Sequence, residues 1–307
     1  MNAARVAVVV VTHNSADVLA HCLESLRDGG ADGVELTDVV VVDNASDDES
    51  PEIAKEADRL PVSVVQLTEN AGYAAGLNAG ITALRNRPPD AVMVVNPDCR
   101  FRPGAVAVLA RCLQTPGRGL VAPRLVNPDG TLQPTLRRLP TVRGVFAEAI
   151  LGGRVADRLG LGELIFTDGP HDEPGPAAWV TGAALMMGWD LVDRVGPWDE
   201  GFLLYSEETD YMLRAADRGW VTWYEPAAVI EHRGGEADTK PALAALLTVN
   251  KVRLFRRRHS RIAGQAYAAG VLLGALLRAA AGQRTARASA AALLLPSRRI
   301  TSLAQLR

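Results

Sequence analysis

Four valine-rich runs, residues 6–11, 39–42, 62–67 and 91–95, are separated by helix-length segments, and each leads into polar residues. Such runs read as parallel strands buried on both faces of a sheet. Asn14-Ser15-Ala16-Asp17 caps a first helix, expected to run to about Asp28 and stop at Gly29-Gly30. Ser46-Asp47-Asp48-Glu49-Ser50-Pro51 opens a second with acidic first-turn residues and a proline, and the segment from Asn70 to Asn78 enters a third through Gly72 and Gly76. Ligands of such sheets bind outside the carboxyl ends of the strands, so Thr12, Asn14, Asp43, Asn70, Asn96 and Asp98 outline a site. Two carboxylates among amides and hydroxyls, with few cations, suit sugar hydroxyls, a nucleobase edge and a divalent metal better than a bare phosphate.

From residue 115 to 173 the pattern breaks into Pro/Gly-rich pieces, with a turn at Asn127-Pro128-Asp129-Gly130 and a basic loop at Leu136-Arg137-Arg138-Leu139-Pro140. This irregular stretch is where acceptor specificity is expected. Regularity returns at residues 178–188, a strand with small residues Thr181, Gly182, Ala183 and Ala184, then the loop around Trp198 and Asp199. An acidic helix start, Ser206-Glu207-Glu208-Thr209-Asp210, leads to about Arg218. Short strands at 220–224 and 228–230 follow, the second delivering Glu231-His232-Arg233-Gly234-Gly235.

With 307 residues, 48% hydrophobic and 22% charged, the chain suits one large α/β domain with an appendage and excludes a disordered protein. Cys22, Cys99 and Cys112 lack metal or redox spacing and read as reduced thiols of a cytosolic protein. The first strand begins so close to Met1 that no signal peptide is expected. The net charge of -2 conceals an asymmetry: residues 241–307 carry twelve basic residues and no acid, leaving 21 basic against 35 acidic residues before them. The basic residues flank an apolar stretch, 263–281, whose alanines and Arg278 make it marginal as a membrane span. A helix lying in the interface of an anionic membrane is the expectation, with a packing helix or oligomer contact as the alternative. Nucleic acid is not expected as a partner.

Asp98 alone reads as a helix cap and His232 alone as a packed histidine. Together they form a workable donor pair for Mn²⁺ or Mg²⁺ bridging a diphosphate. Glu207, Glu208 and Asp210 are adequately explained as a helix start favoured by the dipole, with Asp210 and Arg214 as an i, i+4 surface pair. Functionally, one of these acids can face the pocket as a general base, its pKa held up by like charges.

The series VVVVTHN, VVDNASDD, NAGYAAGLN, VVNPD, WVTGAALM, FLLYSEETDYMLR and EHRGG resembles the family-2 glycosyltransferases of GT-A fold, and within them the bacterial rhamnosyltransferase-like enzymes. The match runs in order over some three quarters of the chain. The resemblance implies a Rossmann-like mixed sheet flanked by helices, with a catalytic domain over residues 1–240 and a helical basic extension over 241–307. Residues 1–114 would form the nucleotide-binding half and 115–240 the acceptor-binding half. It implies that Thr12 and Asn14 line the nucleotide site, that Asp43 holds the base, and that Asn70, Gly72 and Asn78 shape the diphosphate-sugar pocket. Asp98 would be the metal-binding acid, Asn96 standing where many relatives have a first Asp; Trp179, Thr181, Gly182 and Asp199 would lie on the acceptor side. Glu208 is put forward as the base, with Glu207 and Asp210 open. The implied reaction is an inverting transfer, with a divalent metal, of a sugar such as L-rhamnose from a dTDP- or UDP-type donor to a lipid-linked or cell-wall glycan. That would take place at the cytoplasmic face of the membrane. Other sugars, a non-catalytic nucleotide- or glycan-binding protein, and a nicotinamide-dependent oxidoreductase are the rivals, the last lacking its glycine fingerprint.

Overall fold

In the computed structural model, residues 3–234 and 239–303 are described; Gly235, the last residue of EHRGG, lies outside them. The first half alternates as the valine pattern requires: β1 (Arg5–Thr12), α1 (Ala16–Ser25), β2 (Glu35–Asp43), α2 (Ser50–Lys55), β3 (Val62–Gln66), α3 (Tyr73–Leu84) and β4 (Ala91–Val95). Strand periodicity divides β1 between two cores. Val8 and Val10 pack with Leu19, Cys22 and Leu23 of α1 on one face, while Val9 and Val11 meet Leu77 and Ile81 of α3 on the other. Helix α3 lies close because Gly76 and Gly80 carry no side chain: a Cβ on Gly80 would stand 2.4 Å from Val9 Cγ1.

Next come β5 (Cys99–Phe101), α4 (Ala105–Leu113), β6 (Arg118–Val126), β7 (Leu136–Arg137), α5 (Val142–Leu151), α6 (Gly153–Arg158), α7 (Gly169–Asp172), β8 (Gly175–Ala177), β9 (Trp179–Val180), β10 (Ala184–Gly188), α8 (Trp189–Val195), α9 (Glu207–Ala216) and β11 (Val221–His232). The main sheet runs β3-β2-β1-β4-β10-β6-β11-β5, with β8 beside β11, and β7 pairs with β9 apart from it. The sheet is mixed. Strand β10 runs antiparallel to β4 and β6, whereas β1, β2, β3 and β4 are parallel. This is the mixed, helix-flanked sheet expected of a GT-A fold.

Some local expectations fail, among them the single strand at 178–188, which is divided into β9 and β10 around Thr181, Gly182 and Ala183. Residues 118–126, read as part of an irregular stretch, form a core strand, and Pro123 is tolerated there because β10 pairs with β6 only at Leu120 and Val121. The two short strands expected after Gly219 are one strand, β11, interrupted by an irregularity between Glu225 and Val229 opposite Pro123 and Arg124.

The C-terminal helices, α10 (Pro241–Arg258), α11 (Arg261–Ala280) and α12 (Arg284–Leu294), pack on the preceding part of the chain. Helix α11 is long and apolar enough to cross a membrane by length and composition. It nevertheless lays Tyr267 and Val271 against Val145 of α5, and Gly270 and Gly274 let the two helices touch. The alternative considered for this segment, a packing helix, therefore describes one of its faces; Ile262, Leu276 and Leu277 on it stay exposed. Nor is the tail's charge simply presented outward. Lys251 pairs with Glu163 and Glu148, Arg257 with Asp199, and Arg258 with Asp217. Burial pulls the Lys251 ammonium down, but Glu163, Tyr267 and Glu148 outweigh it and hold the pKa above the ordinary lysine value.

Candidate active site

At the end of β4 and β11 the chain brings Asp98 and His232 together, with His232 Nε2 3.4 Å from Asp98 Oδ1. The tautomer follows from the surrounding amides. Gln133 donates from Nε2 to Asn127 Oδ1 (3.1 Å) and to the His232 carbonyl (3.3 Å), so its Oε1, 2.7 Å from His232 Nδ1, accepts the Nδ1 proton. Nε2 is left facing Asp98. Protonated, it is a cation beside the carboxylate; deprotonated, it is a lone pair facing a carboxylate oxygen, the donor arrangement of a divalent-cation site. Burial pushes the Asp98 carboxyl up, but His232 and the Gly234 N–H, 2.9 Å from Oδ2, outweigh it and hold the pKa below the usual range. Cys99 lies within reach of the same point, but burial and the Asp98 charge push its thiol well up, so it stays protonated and is no ligand for a hard cation. A cavity of about 230 Å³ beside Asp98 is lined by Arg100 and Arg233, each set against an acid of the same lining, Glu231 at 3.9 Å and Asp17 at 2.8 Å.

The nucleotide side rests on the paired ends of β1 and β2, where Thr12 stands opposite Asp43. Thr12 Oγ1 and Asp43 Oδ1 are both buried without a hydrogen-bond partner, while Asp43 Oδ2 accepts from Ser46 N at 3.2 Å. Asn14, exposed, bridges the two loops by accepting from Asp47 N (2.8 Å). Asn70 is tied to the buried Asn44, whose Nδ2 donates to Asn70 Oδ1 and Gly72 O. Gly72, at φ +99°, permits the closest contact of the site: a Cβ there would stand 2.3 Å from Leu203 O. Asn78 is not brought to the cleft; both its groups are committed to Trp198 and Glu200. Asn96 reaches His232 Nε2 at 3.4 Å.

The three acids of α9 separate. Asp210 accepts from Arg214 Nε at 2.7 Å in a partly buried pair, which removes it as a base. Glu207 is 3% exposed and Glu208 half-buried, and each keeps a buried oxygen without a partner. Burial raises both carboxyls above the ordinary glutamate value. Glu208 adds to the rise at Glu207, whereas backbone N–H groups and the Arg137 charge pull Glu208 back. Gly182 makes room for Glu208: a Cβ there would stand 2.8 Å from Glu208 Cβ. Thr181 Oγ1 accepts from Arg137 at 3.2 Å, and Arg137 lies 5.4 Å over the Trp179 ring. Asp199 caps a turn through Gly201 N and pairs with Arg257, so it is held away from an acceptor role. The Tyr73 hydroxyl, buried without a partner, joins the two halves. Burial raises its pKa well above normal, and Glu207, Cys99, Glu208 and Asp98 all add to the rise.

Sequence reasoning missed Gln133, Tyr73 and Asn250. The loop before α9 is strained, with φ of 62° at Leu203, 68° at Tyr205 and 75° at Ser206. Leu203 is the centre of a tight γ-turn, Leu204 N to Phe202 O at 2.7 Å. Tyr73 N donates to Leu203 O (2.8 Å). From α10, Asn250 Nδ2 donates to the carbonyls of Phe202 (2.6 Å), Leu204 (2.9 Å) and Tyr205 (3.2 Å). Asn250 is thus a positioning residue for the glutamates. Asn250→Leu, nearly isosteric but without donors, is expected to lower kcat on the order of 10- to 100-fold through misplacement of the acids. Nucleotide affinity, read by calorimetry, should hardly change. Equal losses in both would make the residue merely structural.

With this geometry in place, the comparisons with known proteins fall into line. Residues 7–166, about half of the chain, match the family described as Glycosyl transferase family 2. An N-acetylglucosaminyl-diphospho-decaprenol L-rhamnosyltransferase of Mycobacterium tuberculosis is 28% identical over 246 residues, 76% of this chain and 78% of its own. Among solved structures, the mannosyltransferase PcManGT from Pyrobaculum calidifontis, in complex with GDP-Man and Mn²⁺, superposes with a TM-score of 0.59 at 19% identity, over 92% of this chain and 76% of that one. TarS 1-349 of S. aureus in complex with UDP gives 0.52 at 16% identity, over 93% and 90%.

Proposed function

From the membership of this chain in glycosyl transferase family 2, we propose that it moves L-rhamnose from dTDP-L-rhamnose to a hydroxyl of a lipid-linked glycan, with inversion. It is a glycosyltransferase using a nucleotide-sugar donor; the sugar and acceptor are the proposal, supported by the mycobacterial relative. The observation that carries the reading is that Glu208 is seated against Gly182, whose neighbour Ala183 accepts from Asn96 N at 2.8 Å two residues before Asp98 of the Asp98–His232 pair, which supports base and leaving-group site sharing a cleft.

In that cleft Glu208, ionised, takes the proton of the acceptor hydroxyl as its oxygen forms a bond to the anomeric carbon. The bond from that carbon to the diphosphate oxygen breaks on the opposite side, and its electron pair leaves with the nucleotide diphosphate. Asp43 and Thr12 would accept and donate to the base, their unpartnered atoms being the free valences. A carboxylate oxygen beside an imidazole fits a divalent cation, Mn²⁺ better than Mg²⁺ because of the nitrogen, and Asp98 and His232 would hold it. Bound there, it would supply charge to the leaving diphosphate. The exposed leucines and remaining cations of residues 241–303 support holding the enzyme at the cytoplasmic membrane face.

The test is mass-spectrometric detection of donor consumption with Mn²⁺ over a panel of dTDP-, UDP- and GDP-sugars. dTDP-L-rhamnose should be consumed fastest; preferential turnover of a GDP-sugar would overturn the donor assignment.

A further inference from the structure

A second cavity, of about 860 Å³, is lined by none of Thr12, Asp43 and Asp98, and it nears Glu208 through Arg137, which contacts Thr181 beside Gly182. One wall starts at Arg137, the residue that contacts Thr181 and Trp179 and whose charge bears on Glu208. Two more arginines line it, with one acid, Glu173. Arg138 is fixed to the buried Asp157 and to Gly162 O, each at 2.8 Å, which anchors the far wall. Arg143, at the exposed start of α5, has no ion pair among the described residues.

The remaining lining is largely apolar, including Leu136, Leu139, Val142, Leu161 and Ile165. Leu139 (54% exposed) and Leu161 (39%) carry the apolar surface out of the cavity. Leu159, Val155, Leu151 and Ile150 continue it in the open along α6 and the end of α5. Large apolar side chains exposed in succession beside arginines are unusual on a soluble surface and mark a binding site. Cations and apolar side chains line the cavity together, with Arg137 tied to Thr181 next to the Gly182 seat of Glu208 and the exposed leucines at the rim.

We propose that this cavity binds the diphosphate and the first isoprenoid units of a prenyl-diphosphate-linked acceptor. Arg137 and Arg143 meet the phosphates, the leucines meet the chain, and the acceptor sugar is placed at Glu208. The lining offers what such a molecule needs, guanidinium forks for phosphate oxygens and apolar side chains for the hydrocarbon, close to the acid that would meet its sugar. This assignment rests on the acceptor class proposed above, and it adds a location and a means of recognition. An apolar rim would let the chain remain partly in the bilayer while its sugar is presented to the base.

The test uses the full-length protein with geranylgeranyl diphosphate as the probe, titrated calorimetrically in the presence of saturating UDP and Mn²⁺ so that the donor site is filled. Saturable binding is expected, with geranylgeraniol and inorganic diphosphate each at least about tenfold weaker. Arg143→Glu and Leu161→Asp, both at exposed positions, should each weaken the probe by about tenfold or more while leaving the affinity for UDP unchanged. No binding, or equal binding by the variants, would overturn the subsite. If the donor panel fails while the probe binds as expected, the rhamnosyl reading falls and the subsite stands; working transfer without probe binding removes the subsite alone.

Discussion

Glu208→Gln is expected to lower turnover on the order of 10²- to 10⁴-fold, the usual contribution of a general base, with donor affinity nearly unchanged. The substitution keeps volume and removes only the proton acceptor. Glu208 is the acid that the chain clears a space for, at Gly182, and the one on which the Arg137 charge bears. Glu207, more deeply buried and pushed further up by its neighbour, should lose much less when changed to Gln. The pH profile gives an independent check. Burial raises the Glu208 carboxyl above the ordinary glutamate value, and only its ionised form accepts a proton, so kcat/KM should fall as pH drops through that raised pKa. The limb should be missing from Glu208→Gln. A larger loss in Glu207→Gln would move the base by one residue.

Asp98→Asn is expected to cost on the order of 10³-fold in turnover, in line with removing a main source of charge stabilisation at a leaving group. Asn keeps an oxygen for the Gly234 N–H, so the fold should persist, as an unchanged circular dichroism melt would confirm. Mn²⁺ affinity should drop with activity. Turnover by the wild-type enzyme that survives excess chelator would defeat the metal assignment.

The donor half was legible because β1, β2 and β4 are buried on both faces and therefore apolar without alternation, a pattern that has few other causes. Strand β6 was hidden by Gly119, Pro123 and Arg124, local signals of irregularity that lose to the sheet on either side. Asp98, His232 and Glu208 could be picked from motifs, since strand and helix ends restrict where they point. Asn78 and Asp199 could not be excluded in the same way, because their partners, Trp198 and Arg257, lie far along the chain. Gln133 orients His232 across 99 positions, and no local pattern encodes such a pairing. Tail charge was readable as composition but not as placement: Lys251, Arg257 and Arg258 meet acids that look like solvent-exposed residues in the sequence.

The loop ahead of α9 is turned by its own short hydrogen bonds, but its strained backbone is tied to the rest of the fold from a distance. Its restraints come from Tyr73, early in the chain, and from Asn250, 45 to 48 positions later. During synthesis, therefore, a nascent chain already carries the nucleotide-binding strands long before Asn250 leaves the ribosome. Over that interval the backbone ahead of α9 lacks the three hydrogen bonds that Asn250 gives it. Placement of the glutamates is thus coupled to the docking of a helix made after them, and a chain ended before Asn250 would lack that restraint.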